Sequence, residues 1–153
     1  MDAVYVTRNT VFAATAGAKT VLKLITPTSF NIKVHEVGVS MDGVTASAVP
    51  ATFEFGTSDE TTAGTGSGTA VTTQIKGRAQ AHGLTVGQNF SAEGTTYTII
   101  AGVYVPQYMG IFVRQNPLGL EEESPGDAAD SFLLRINVTA NVNVLAWVKW
   151  SRA

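Results

Sequence analysis

The sequence predicts an all-β protein, an antiparallel β-sandwich of jelly-roll type with short helices or none. Two stretches, 131–139 and 142–150, alternate apolar and polar residues with a period of two. That pattern belongs to antiparallel strands with one face on a core. Glycine, proline and small polar residues divide the rest into short β-prone runs, for a total of about eight to ten strands. Only 76–83 (KGRAQAHG) reads as a helical turn, and it is short. Such a chain manages its edges by pairing two layers or by closing into a barrel.

Composition narrows the function classes. A chain of 153 residues is one domain by length. It buries about 68–70% of its unfolded surface, enough for a core without staples. It has no cysteine. That excludes a disulfide framework, a thiolate nucleophile and a Cys-type zinc site. The net charge is −2 and the ten basic residues are scattered, which is not the footprint of a nucleic-acid binder. Charged residues are 14% of the chain, below the usual quarter; this fits a β-protein whose surface neighbours partly cover. No apolar run is long enough to span a bilayer. MDAVYVTRN has neither a basic nor an apolar signal region, so no signal peptide is expected.

Taken in order, 1–9 is expected to be an N-terminal arm or edge strand, with 10–153 as the single sandwich domain. A second short strand falls at 10–14, before the small-residue turn at 15–18. TVLKLI (20–25) reads as a strand that Pro27 ends, because proline has no ladder donor and restricts the residue before it. The stretch 30–55 holds two strands and a loop, with a turn at Asp42-Gly43. Ile32 and Val34 share one parity there, and Val37, Val39 and Met41 share the other. A straight strand cannot bury both sets on one side. A β-bulge near His35-Glu36 is therefore predicted.

The segment 57–69 (TSDETTAGTGSGT) reads as a loop. Its glycines lack the Gly-Lys-Ser/Thr ending and following helix of a phosphate loop. A strand is expected at 70–75, irregular chain at 84–93, a strand at 95–101 that 103–105 either continues or follows with the next strand, and a short strand at 111–114. The segment 116–129 reads as an acidic loop. The link between 131–139 and 142–150 is short enough for a hairpin, though its residues do not form a standard two-residue turn.

Few residues point to chemistry. His35 and Glu36 are adjacent on a strand, so they face one site only if the bulge re-aims one of them. The plainer reading is a polar pair with Glu36 accepting local hydrogen bonds. Glu121, Glu122, Glu123, Asp127 and Asp130 could offer oxygen ligands to calcium, but their spacing is not that of an EF-hand. A solvated acidic loop explains them as well. Nothing places two acids across a cleft for glycoside hydrolysis, and no serine sits in a nucleophile elbow. No enzyme activity and no cofactor or metal is expected. Leu145 and Trp147 lie opposite Val144, Ala146 and Val148, so both faces of that strand are apolar. Either the strand is covered on both sides, or Leu145 and Trp147 form a subunit interface.

YVTRNT with KTVLKLITP, then IKVHEVGVSMDG, then PLGLE followed by LLRINVTANVNVLAWVKW resemble the head decoration, or cement, proteins of tailed bacteriophages. Together these stretches cover about half of the chain, and 57–94 has no counterpart. The resemblance implies a β-sandwich subunit, usually trimeric, on the outer surface of the virion capsid. It would be assembled in the host cytoplasm, bind the major capsid protein and stabilise the lattice. Neither nucleic acid nor membrane is implied as a partner. The residues assigned to capsid contact are Ala3, Val4, Tyr5, Val6, Thr7 and Arg8, in the expected arm. The rival function is a carbohydrate- or receptor-binding module, as at a tail-fibre tip, using the aromatics Tyr104, Tyr108 and Phe112.

Overall fold

The computed structural model describes residues 2–45, 48–58, 64–123 and 130–153. Twelve strands run through them: β1 (Val4–Arg8), β2 (Phe12–Ala14), β3 (Gly17–Ile25), β4 (Ile32–Met41), β5 (Ala51–Ser58), β6 (Val71–Lys76), β7 (Thr85–Gln88), β8 (Thr98–Val105), β9 (Ile111–Gln115), β10 (Glu122–Glu123), β11 (Ser131–Val138) and β12 (Val142–Arg152). They form two antiparallel sheets. In the first, β4 and β12 pair at the centre; β9 and β10 share the far edge of β4, while β1 and β2 share the far edge of β12, with β6 outside β1. The second runs β7-β3-β11-β5-β8.

The path of the chain makes this a jelly roll. From β1/β2 through β3 and β4 to β5, each step crosses to the other sheet, and so do the steps from β8 to β9 and from β11 to β12. Crossing between layers is what two interlocked Greek keys require. β6 and β7 are an addition to the plan, one widening each sheet on the same side. The core lies between the layers. Leu22, Leu24, Phe53, Phe55, Phe132, Leu134 and Ile136 come from the second sheet, and Ile32, Val34, Val37, Val39, Val148 and Trp150 from the first. Burying each large side chain is worth roughly 1.5–3 kcal/mol. Tyr5 stacks on Trp150 with ring centroids 4.6 Å apart. Trp150 Nε1 donates to Thr7 Oγ1 at 3.0 Å, so the indole is buried with its polar edge satisfied.

The predicted bulge is present. Lys149 pairs with Glu36 and Trp150 with Val34, leaving His35 as the extra residue. All five apolar side chains of β4 consequently face the core. Other expectations need correction. β11 and β12 are not a hairpin: β11 pairs with β3 and β5, β12 with β4, β1 and β2, and the two lie in opposite layers. β4 and β5 are likewise successive in sequence and in different sheets. Residues 76–83 contain no helical turn. A strand, β7, occupies part of the supposedly irregular 84–93.

Residues 4–8 are neither an arm nor an edge. β1 lies between β12 and β6, and Tyr5 is only 1% exposed. Two outer ladders and a stacked aromatic hold it, so removing 1–9 would open the first sheet rather than free a tail. Of the five acids assigned to the acidic loop, Asp127 lies outside the described residues.

Candidate functional site

The outer face of the first sheet carries most of the residues that the sequence singles out. The bulge turns His35 out beside Glu36, and the two meet a row of partners. Trp147 Nε1 donates to Glu36 Oε1 at 2.8 Å. Gln115 Nε2 and Lys149 Nζ donate to Oε2 at 2.9 and 3.1 Å. Burial alone would raise the Glu36 carboxyl, but the donors from Trp147, Gln115 and Lys149 outweigh it and hold it below the ordinary carboxylate value. Glu36 accepts hydrogen bonds as expected, but from residues of β9 and β12 that are distant in sequence rather than from local groups.

Trp147 owes its position to a missing side chain. It pairs with Gly38 across the β4–β12 ladder, and a Cβ at Gly38 would collide with the indole ring. The ring therefore lies flat over β4, half-buried, with its N–H fixed by Glu36. Around it stand exposed apolar residues: Val113 opposite Gly38, Ile111 opposite Ser40, Leu145 two residues before Trp147 on β12, and Val71 beside Arg8. Leu145 is 43% exposed.

β1 joins the same surface. Arg8 pairs with Trp147, Val6 with Lys149 and Val4 with Ser151. The structure thus brings members of two separately assigned sets together: Arg8 is the cross-strand neighbour of Trp147, and Val6 and Val4 continue along β12 beside Lys149 and Ser151. The alternate residues of that segment, Ala3, Tyr5 and Thr7, are buried and unavailable to a partner.

His35 has its own contacts. Its Nε2 lies 2.8 Å from Ser151 Oγ, and its Nδ1 lies 3.9 Å from Glu121 Oε1. The residue types are those of a nucleophilic triad. Ser151 is only 5% exposed, however, which leaves a substrate no approach. The contacts instead pin the bulge. Asn116 completes the clamp: its backbone N–H donates to His35 O at 2.8 Å and its Nδ2 to Val34 O at 2.8 Å. His82 is elsewhere, edge-on to Tyr5.

Glu121, Glu122 and Glu123 do not converge on one point. Glu121 accepts from Gly119 N at 2.7 Å, Glu122 pairs with Arg114 at 3.1 Å, and Glu123 faces Lys33 at 3.9 Å. Among the described residues no three of His, Cys, Asp and Glu are grouped to hold a metal ion. The three rival aromatics are dispersed too: Tyr104 is exposed on the outer strand β8, Tyr108 lies between β8 and β9, and Phe112 packs inward against Phe53 with centroids 5.9 Å apart.

A second polar cluster, on the outer face of the second sheet, was not foreseen. Glu93, from the connection between β7 and β8, accepts from the Thr20 backbone N–H and from Thr20 Oγ1, the latter at 2.7 Å. Tyr97 OH donates to Glu93 Oε2 at 2.9 Å, and Arg135 lies over the Tyr97 ring at 4.7 Å. This fastens the 89–97 connection across the sheet. Residues so far apart leave no periodic trace in the sequence.

No family model matches the chain, and no curated protein matches it. Among solved structures, VP2 of infectious bursal disease virus in a subviral particle is 12% identical, over 97% of this chain and 41% of that one, with a TM-score of 0.24. The same virus's VP2 in T=1 particles is 11% identical, over 97% of this chain and 39% of that one, also with a TM-score of 0.24. This chain spans about two fifths of the length of those proteins. Likeness at that level decides neither fold nor function.

Proposed function

We propose that the chain is a structural virion protein that decorates the outer surface of a bacteriophage head and stabilises its lattice. One observation carries the reading: the outer face of the first sheet presents an aromatic anchor, Trp147, fixed in advance by Glu36 and Gly38 and ringed by exposed apolar side chains. A contiguous apolar patch around a fixed aromatic marks a protein contact. Rigid aromatic anchors lose little freedom on binding. The resemblance of the YVTRNT, IKVHEVGVSMDG and LLRINVTANVNVLAWVKW stretches to phage decoration proteins supports the same reading. The role is structural rather than enzymatic.

In this reading the Leu145–Trp147 strip and its neighbours Val6 and Arg8 form one docking face toward the major capsid protein and toward other copies. A trimer matches a local threefold axis of a shell. Several modest contacts then act together, and avidity replaces single-site affinity.

Leu145→Lys tests the proposal, because Leu145 is exposed and its loss leaves the Glu36 network whole. The expected result is an unchanged melting temperature, a shift toward monomer in light scattering, and loss of co-sedimentation with expanded heads of the encoding phage. Full retention of both mass and head binding would overturn it.

A further inference from the structure

Four connections, β2–β3, β4–β5, β8–β9 and β11–β12, gather at one end of the sandwich. Three of them surround an open groove of about 360 Å³, lined in part by Ala13, Thr15, Asp42, Val44, Asn141 and Asn143. Asp42 is its fixed point. Asp42 Oδ1 accepts from the Asn143 backbone N–H at 2.9 Å and Oδ2 from Asn143 Nδ2 at 2.7 Å. The Asn143 side-chain and backbone donors hold the Asp42 carboxyl below its ordinary value, so it is ionised at neutral pH.

These two bonds orient both groups without using them up. Each carboxylate oxygen accepts twice, and the amide has a carbonyl and a second N–H. A second hollow of about 160 Å³ lies across the same pair, lined also by Val11, Met41 and Leu145. Asp42 and Asn143 thus stand as a polar ridge between two shallow spaces with small or apolar walls. Tyr108, exposed, bridges to Gly43 beside the groove.

The geometry points to a saccharide site, in which the Asp42–Asn143 pair binds adjacent hydroxyls of a neutral sugar ring lying against Ala13 and Val44. Two neighbouring sugar hydroxyls each donate and accept, and a carboxylate held beside an amide offers both functions at a fixed spacing. The groove volume is within the range of small-ligand sites, at the low end of about 300–1,000 Å³. No lysine or arginine is among the described lining residues, and Asp42 repels anions, so phosphorylated and acidic sugars are disfavoured. An open groove gives weak single-site binding. The site is at the loop end and does not depend on the proposed virion role.

The test is a titration of the ¹⁵N-labelled full chain with the methyl glycosides of glucose, galactose and mannose, followed by NMR. The expected result is saturable movement of the Asn141 and Asn143 side-chain amide signals with at least one glycoside. Asn141→Ala leaves the Asp42–Asn143 pair intact and should weaken binding about tenfold, the loss of one or two hydrogen bonds. Asp42→Ala should abolish it. No movement with any glycoside, or movement with calcium chloride alone, would overturn the site. Head co-sedimentation of Asn141→Ala should be unchanged, so failure here is distinguishable from failure of the docking face.

Discussion

Asn9 Nδ2 donates to Asn89 Oδ1 at 3.0 Å, joining two residues eighty positions apart in the sequence and on opposite layers of the sandwich. Asn9 lies where the partner of β12 changes from β1 to β2. Its Oδ1 accepts from Ala146 N at 2.8 Å and its Nδ2 donates to Val144 O at 3.1 Å. The side chain thus supplies ladder bonds that a strand would otherwise make. Asn89 has φ of 51°, a conformation asparagine tolerates better than most residues. It donates onward to Thr10 O at 3.2 Å.

Asn9→Ala should therefore cost about 1–3 kcal/mol, because it strands a buried N–H and a buried carbonyl. The check is a urea titration, where the midpoint falls and the slope is unchanged. Asn89→Ala should cost less than this when added to Asn9→Ala, since the two share one bond.

Deleting His35 should be far worse than altering it. His35→Ala loses one hydrogen bond to Ser151 and should cost about 1 kcal/mol. The deletion removes the bulge and turns Val34 and Ile32 toward solvent, since a one-residue slip reverses every side chain beyond it. Two buried side chains at roughly 1.5–3 kcal/mol each put the loss above about 3 kcal/mol. Thermal melts of both variants decide this; a deletion variant that melts with the parent would show the bulge to be dispensable.

Glu36 should make stability fall in acid. Its carboxyl lies below the ordinary value of 4.5 in the folded chain, where Trp147, Gln115 and Lys149 donate to it against the opposing effect of burial. Its contribution is complete above pH 4.5 and is lost as the pH falls through the lowered folded value. Unfolding free energies measured from pH 6 downward should drop less steeply for Glu36→Gln, which carries no titrating carboxyl at that position.

Tyr97 should titrate well above the ordinary tyrosine value of 10.0. Burial and the neighbouring Glu93 carboxylate push its hydroxyl up to about 12. The folded chain holds this proton more tightly than the unfolded one, so stability should decline as pH rises from 10 toward about 12. Phenolate absorbance should show a step near the upper value that Tyr97→Phe removes.

Alternation made the faces legible. Val142 to Trp150 announced which side chains meet the core, and the change of phase between Val34 and Val37 announced the bulge. Alternation carries no information about which strand lies alongside, so β11 and β12 read as a hairpin although they occupy different layers. β7 escaped notice because Val86 is its single large apolar residue, among Thr85, Gly87 and Gln88. The site was legible in parts. Trp147 was conspicuous, but its tie to Glu36 joins positions 111 apart and has no local signature. The Asn9–Asn89 link is hidden for the same reason.

The place of β12 in the first sheet also bears on how the chain folds. β12 is the strand to which β1, β2 and β4 all pair, and every other described strand precedes it in the sequence. A ribosome that has released β1 to β11 has released a sheet without its middle. The early strands must wait, unpaired on their central edge, until β12 emerges. Contacts spanning nearly the whole chain make folding slow. The first sheet therefore cannot close before β12 has been made, and the waiting chain is the stage at which aggregation competes with folding.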